Sequence, residues 1–188
     1  MNRHRRLALV VASVLIASPA AAQRTDAPAG SARAVAQRAL AALAARDAAN
    51  FAREAHPQDL AVFRGRMLPG IREAMNGQQK PQVLATFAPA KTYAEIEKLP
   101  AERLFVMYLQ SAMNRVAKPD QLKISNVIIG EVTEGDTVSH VVYRQRVVLG
   151  KNPPASNVTL ISLRRTPGGW KLTLDATLMG GTPAQQAQ

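Results

Sequence analysis

Between Gln121 and Leu178 the chain passes through four alternations of apolar and polar residues, QLKISNVIIGEVT, TVSHVVYRQRVVL, NVTLISLRR and WKLTLDATL. A period of two rich in β-branched residues is the pattern of half-buried strands. The connections EGD, GKNPPAS and TPGG are short and made of residues that turn a chain, so consecutive strands pair as hairpins. Such an antiparallel meander has one face that must be covered.

The cover has to come from the segment before it, which reads as helical. Ser31 is placed to cap ARAVAQRALAALAAR, along which Ala36, Leu40 and Leu43 share a stripe. Asp47 falls on the continuation of that stripe, and a break there, with Asp47 capping the short helix AANFAREA, explains it. Pro57 ends that helix by restricting His56. DLAVFRGRMLPGIREAMNG is expected to be helical from Asp59 as cap to Gly77, with a bend at Pro69-Gly70. Short helical pieces divided by prolines follow, and Pro100 opens a helix whose apolar face is Leu104, Phe105, Tyr108, Leu109, Ala112, Met113 and Val116. The fold class is therefore α+β, with N-terminal helices packed against a curved, mainly antiparallel four-stranded C-terminal sheet.

Strand parity then sorts the side chains. Trp170, Leu172, Leu174, Ala176 and Leu178 share the core face of the last strand, leaving Lys171, Thr173, Asp175 and Thr177 outside. In the second strand Val141, Tyr143, Val147 and Leu149 form the apolar set. His140, Arg144 and Arg146 lean outward with Val138, Val142 and Val148, and a single bulge would reverse this order.

The chain begins MNRHRR, continues through the apolar run Leu7–Ala17 and reaches SPAAAQ. That order is a secretory signal peptide with cleavage expected near Ala22, giving an exported protein, periplasmic or secreted. The run is shorter than the roughly 20 residues of a membrane-spanning helix. Residues 23–30 are a flexible segment, 31–179 one domain and 180–188 a disordered tail. Three of the cations counted in the formal charge of +11 leave with the signal, and the remainder is still basic. Aromatic residues do not interleave with the cations, so nucleic acid is not an expected partner, whereas an anionic surface is a candidate for the basic sheet.

The stretches ALAALAARDAANFAREAHP, a first helix with an Asp-marked break and short second helix, and GEVTEGDTVSHVVYRQRVVL with VTLISLRRTPGGWKLTL, a closing meander, resemble the nuclear-transport-factor-like superfamily. The resemblance covers 39–57 and 130–149 with 158–174, and it is one of fold. It implies a cystatin-like cone in which a curved sheet wraps helices around a pocket, with dimers forming through the sheet's outer face. The family's enzymes follow the short helix with a strand and an acidic residue. This chain instead has a helical insertion over 59–99, so their catalytic residues do not carry over.

Chemistry in the residues themselves is sparse. There is no cysteine, and His56 and His140 stand without a second histidine at ligand spacing, so neither a metal nor another cofactor is expected. Ser111, Ser125, Ser139, Ser156 and Ser162 lack a glycine elbow, and Ser139 points away from its neighbour His140. Candidates to line a pocket are Tyr108, Tyr143, Trp170, Asp47 and His56, and the outer-face candidates are His140, Arg144, Arg146, Lys171 and Asp175. The leading expectation is a non-catalytic exported domain that binds a small apolar ligand or a protein partner, including a second copy through the sheet. The alternatives are an isomerase-, dehydratase- or cyclase-like enzyme using a pocket acid or base, and an envelope protein meeting anionic surfaces.

Overall fold

The computed structural model describes residue 28, residues 30–116 and residues 121–174. The expected signal peptide, most of the flexible segment, Asp175 and the tail lie outside the described residues. Among the described residues six helices precede the strands: α1 Ala32–Ala44, α2 Ala48–Glu54, α3 Pro57–Asn76, α4 Lys80–Thr86, α5 Tyr93–Glu97 and α6 Ala101–Val116. The sheet comprises β1 Leu122–Glu134, β2 Val138–Leu149, β3 Ala155–Thr166 and β4 Gly169–Leu172. It is an antiparallel meander in the order β1-β2-β3-β4. Gly135 at φ 56° and Gly169 at φ 107° occupy the left-handed backbone that the first and last hairpins require.

The break after α1 is built by the backbone. Asp47 N donates to Ala42 O at 2.8 Å and Arg46 N to Leu43 O at 3.1 Å, the two bonds of a Schellman ending. Arg46 sits at φ 58°, where glycine is usual. Its guanidinium donates to Met113 O in the last turn of α6, tying the break between the first two helices to the end of the sixth. Chain reversal and the contact with α6 are thus joined in one residue.

Two corrections concern caps and ends. The cap of α3 is His56, whose Nδ1 accepts from Gln58 N at 3.2 Å, with Pro57 in the first turn. Asp59 lies inside that turn, and its Oδ2 accepts from Leu174 N at 3.0 Å, so it ties the helix to the chain leaving β4. Leu149, expected in the core, is 41% exposed, because the β1–β2 pair runs beyond the helices that cover it.

The main core lies between the helices. Phe105 on α6 stands edge-on to Phe63 of α3 at 5.0 Å between ring centres and 6.3 Å from Phe51 of α2. Leu172 and Leu174 close it from the sheet side. A smaller cluster of Ala32, Val35, Ala36, Val141 and Leu163 packs the start of α1 under the sheet, with Ile128 and Trp170 against it. His56 N donates to Leu172 O at 2.7 Å, and the chain at Ala55 bridges β4, so the end of α2 is stitched to the sheet edge. Within the insertion, Arg64 donates to the carbonyls of Glu97 and Leu99. Arg72 lies 4.8 Å from the centre of the Tyr93 ring and 3.2 Å from Glu97 Oε1, fastening α5 to α3.

Candidate interaction surface

Five of the large apolar residues that stay exposed lie on the side of the sheet away from the helices: Val127 (61%), Ile129 (48%), Val132 (59%), Val158 (56%) and Leu160 (53%). The register explains their grouping. Gly130, Val142 and Leu160 form one cross-strand row, Val127, Arg144 and Val158 the next, and Val132, His140 and Ser162 a third. Ser139, Val141 and Tyr143 occupy the alternate positions of β2 and are buried, so His140, Arg144 and Arg146 face outward. The strand pair does contain a bulge, but on β1, between Ile128 and Gly130. It reverses the parity of β1 alone and brings Val132 to the outer face beside His140.

His140 Nδ1 is 2.8 Å from Ser162 Oγ, and its Nε2 is 3.3 Å from Glu134 Oε1. Arg165 N donates to Thr137 O, so by alternation His140 and Ser162 are a non-hydrogen-bonded pair, the kind whose side chains approach most closely. The sequence set His140 against its neighbour Ser139, whose hydroxyl instead donates to Glu131 Oε1 at 3.0 Å on the other face. The Ser162 contact depends on register and is invisible to linear spacing. A serine, histidine and carboxylate in a row resemble a nucleophile with its base, but acyl transfer also needs donors for the oxyanion. No glycine elbow or helix N-terminus stands beside Ser162 among the described residues. The row joins β1, β2 and β3 side to side.

The remaining candidates are dispersed. Lys171 shares the outer parity with Arg164, but its Nζ donates to Arg53 O at 2.6 Å, turning the ammonium to the sheet edge. Arg144, Arg146 and Arg164 remain exposed. Tyr143 is 7% exposed on the inner face. Trp170 packs against the smaller core cluster, with the Arg165 guanidinium 5.9 Å from its ring centre. Tyr108 lies 5.4 Å from Phe63 between ring centres and lines a cleft among α3, α4 and α6. Asp47 borders a different cleft, between α1 and α2. Tyr108 and Asp47 therefore line different clefts.

Asp47 Oδ1 accepts from Asn50 N at 2.9 Å as the cap of α2. That backbone N–H, helped by the Asn50 side chain, the Ala49 N–H and Arg53, holds the carboxyl below its ordinary value against the opposing pull of desolvation. This direction suits a fixed anion, opposite to what a proton donor near neutrality needs. A pKa lowered by folding contributes stability above the unfolded carboxyl's value and loses it as pH falls through the folded one. Asp47→Ala should therefore lower the melting temperature at pH 7, and the gap to the native chain should narrow as pH falls below about 4. Asp47→Asn should keep most of the cap, since asparagine caps equally well. Melting curves of the three proteins from pH 7 to pH 3 check both expectations, and a gap that stays constant would separate the cap from the charge.

No protein-family model, curated protein or solved structure matches this chain. Among the described residues no group of three or more histidine, cysteine, aspartate or glutamate side chains is placed to hold a metal ion, and no helix is long and apolar enough to cross a membrane.

Proposed function

We propose that this chain is an exported interaction domain of the nuclear-transport-factor-like superfamily, and that the outer face of its sheet pairs with a second copy. One observation carries the reading: Val127, Ile129, Val132, Val158 and Leu160 are exposed together on one face. Exposed apolar side chains gathered on one face mark interaction sites, and here Arg144 runs between Val127 and Val158. Helices on an antiparallel meander, with an Asp-capped break between the first two, support the superfamily. The basic, apolar and small-residue order of the first 22 residues supports export.

One charge contact and the apolar positions of the face fit a pairing with itself, with Arg144 and Arg146 facing no carboxylate across it. Glu134 pairs with Val138 and Lys123 with Val148, so the two stand at equal distances on either side of the Tyr143 level. A twofold axis in the interface plane, across the strands at that level, brings Glu134 over Lys123 of the partner subunit. The same operation sets Leu160 over Val158 of the partner subunit, and Val127 over Gly130 of the partner subunit, where no side chain stands in the way. Strands of this length span about 40 Å, and three of them about 15 Å, a projected area of roughly 600 Å². Side-chain relief brings that close to the ~800 Å² per partner of a stable interface.

Native mass spectrometry of the chain beginning at Gln23 tests the reading, with a dimer expected at micromolar concentration. A monomer at every accessible concentration would refute the pairing. A second reading has Arg144, Arg146 and Arg164 in its favour, exposed on the same face: an anionic lipid surface as the partner. It predicts binding to phosphatidylserine vesicles that fades as salt rises, because exposed charges are screened beyond about 10 Å at 0.1 M salt.

A further inference from the structure

The helical insertion holds a cleft of 330 Å³ among α3, α4 and α6. Its apolar floor includes Ile71, Val83 and Phe87, and Arg66, Arg115 and Tyr108 stand around it. No acidic residue lines it. The other two α3 arginines that face neighbouring helices are committed: Arg64 to the carbonyls of Glu97 and Leu99, and Arg72 to Glu97 and Tyr93. Arg66 and Arg115 have no ion-pair partner among the described residues, and the Tyr108 hydroxyl has no hydrogen-bond partner there. Two guanidiniums and a phenol over an apolar floor leave a concentration of positive charge that folding does not neutralise.

The packing of α4 points the same way. It has no fully buried residue and no side-chain cap, and Val83, which lines the cleft, stays partly exposed. A Thr86–Ser111 hydroxyl contact at 3.2 Å reaches α6. Apolar surface on a short helix that folding leaves partly open gains by taking a ligand that covers it.

We propose that this cleft binds a small amphipathic carboxylate, its chain along Ile71, Val83 and Phe87 and its head group between Arg66, Arg115 and Tyr108. The volume lies at the small end of ligand pockets, which run from about 300 to 1,000 Å³. At about 30 Å³ per heavy atom it holds roughly ten of them, the size of octanoate. The site lies on the opposite side of the helices from the sheet's outer face, so it is independent of the pairing proposed above.

The test is titration of the full chain from Gln23 with octanoate, 1-octanol and acetate, followed by calorimetry and by hydrogen exchange at the amides of residues 83–87. Octanoate should bind saturably with a dissociation constant between high micromolar and low millimolar, as expected for a ligand this small, and should slow exchange in α4. Octanol, which lacks the charge, and acetate, which lacks the chain, should each bind at least about tenfold more weakly. The Arg66→Gln, Arg115→Gln double variant should lose at least about tenfold in octanoate affinity while keeping the native circular dichroism, since both side chains are exposed. Absence of saturable octanoate binding, equal binding of octanol, or an unchanged affinity in the folded double variant would each overturn the proposal.

Discussion

Leu160→Lys yields a folded monomer. Leu160 is 53% exposed in the single chain and lies on β3 beside Val142, so its replacement removes little from the chain's own core. Across the proposed twofold it faces Val158 of the partner subunit, and the symmetry doubles the effect of the change. Full burial of a leucine side chain stabilises by about 1.5–3 kcal/mol. The lysine adds an ammonium to a face already carrying Arg144 and Arg146, where it is both desolvated and repelled. Leu160 is already about half covered in the single chain, so two lost leucine contacts alone raise the dissociation constant at least ~10-fold. Sedimentation equilibrium with a circular dichroism control reads this directly. Val62→Lys is the matched control, an exposed valine on α3 away from the sheet, and should leave association unchanged. Equal weakening by both variants would mean that the apolar row on the sheet is not the contact.

Phe105→Ala has the largest effect on stability. Its ring is 1% exposed and meets both Phe63 and Phe51, joining α6 to α3 and α2. Truncating a buried phenylalanine costs about 3–5 kcal/mol through lost transfer energy and the cavity left behind. For a domain of this size that lowers the melting temperature by roughly 10 °C or more. Urea unfolding should show the same loss as a lower midpoint with unchanged slope. A loss under about 1 kcal/mol would mean that the three helices are not held through this ring cluster.

The strands were legible because alternation is a local property. Val141 and Tyr143 on one side of β2, with His140 and Arg144 on the other, follow from parity alone, and burial separates them in that way. The bulge on β1 was not legible, because Val127-Ile128-Ile129 is apolar at successive positions and satisfies either parity. Pairing decides it, and with it the placing of Val132 on the outer face. The α1–α2 break was signalled by Asp47, but nothing announced that Arg46 would take a left-handed conformation without glycine. Its reward is a contact with Met113 O, which is distant in sequence. Asp59 is of a residue type that caps helices, yet His56 and Pro57 begin the helix earlier.

The candidate sites divide along the same line. The outer-face set could be read from β2, but the partner of His140 could not, since Ser162 reaches it through the β2–β3 register. Lys171 had the right parity, and its length let it reach Arg53 at the edge. Tyr108 falls on the apolar stripe of α6. The cleft it borders depends on how α4 lies against α3 and α6, an arrangement that no single helix encodes.

The pairing of the outer faces is tested most directly by cross-linking two single-cysteine variants. The chain contains no cysteine, so Lys123→Cys and Glu134→Cys each supply a unique thiol. Packed sheets stand about 10 Å apart, within reach of a short bismaleimide. Mixed in equal amounts, the two variants should form a cross-linked heterodimer in high yield, while either variant alone forms little, because each position faces the other across the twofold. Cross-linking no greater in the mixture than in the separate variants would contradict the pairing.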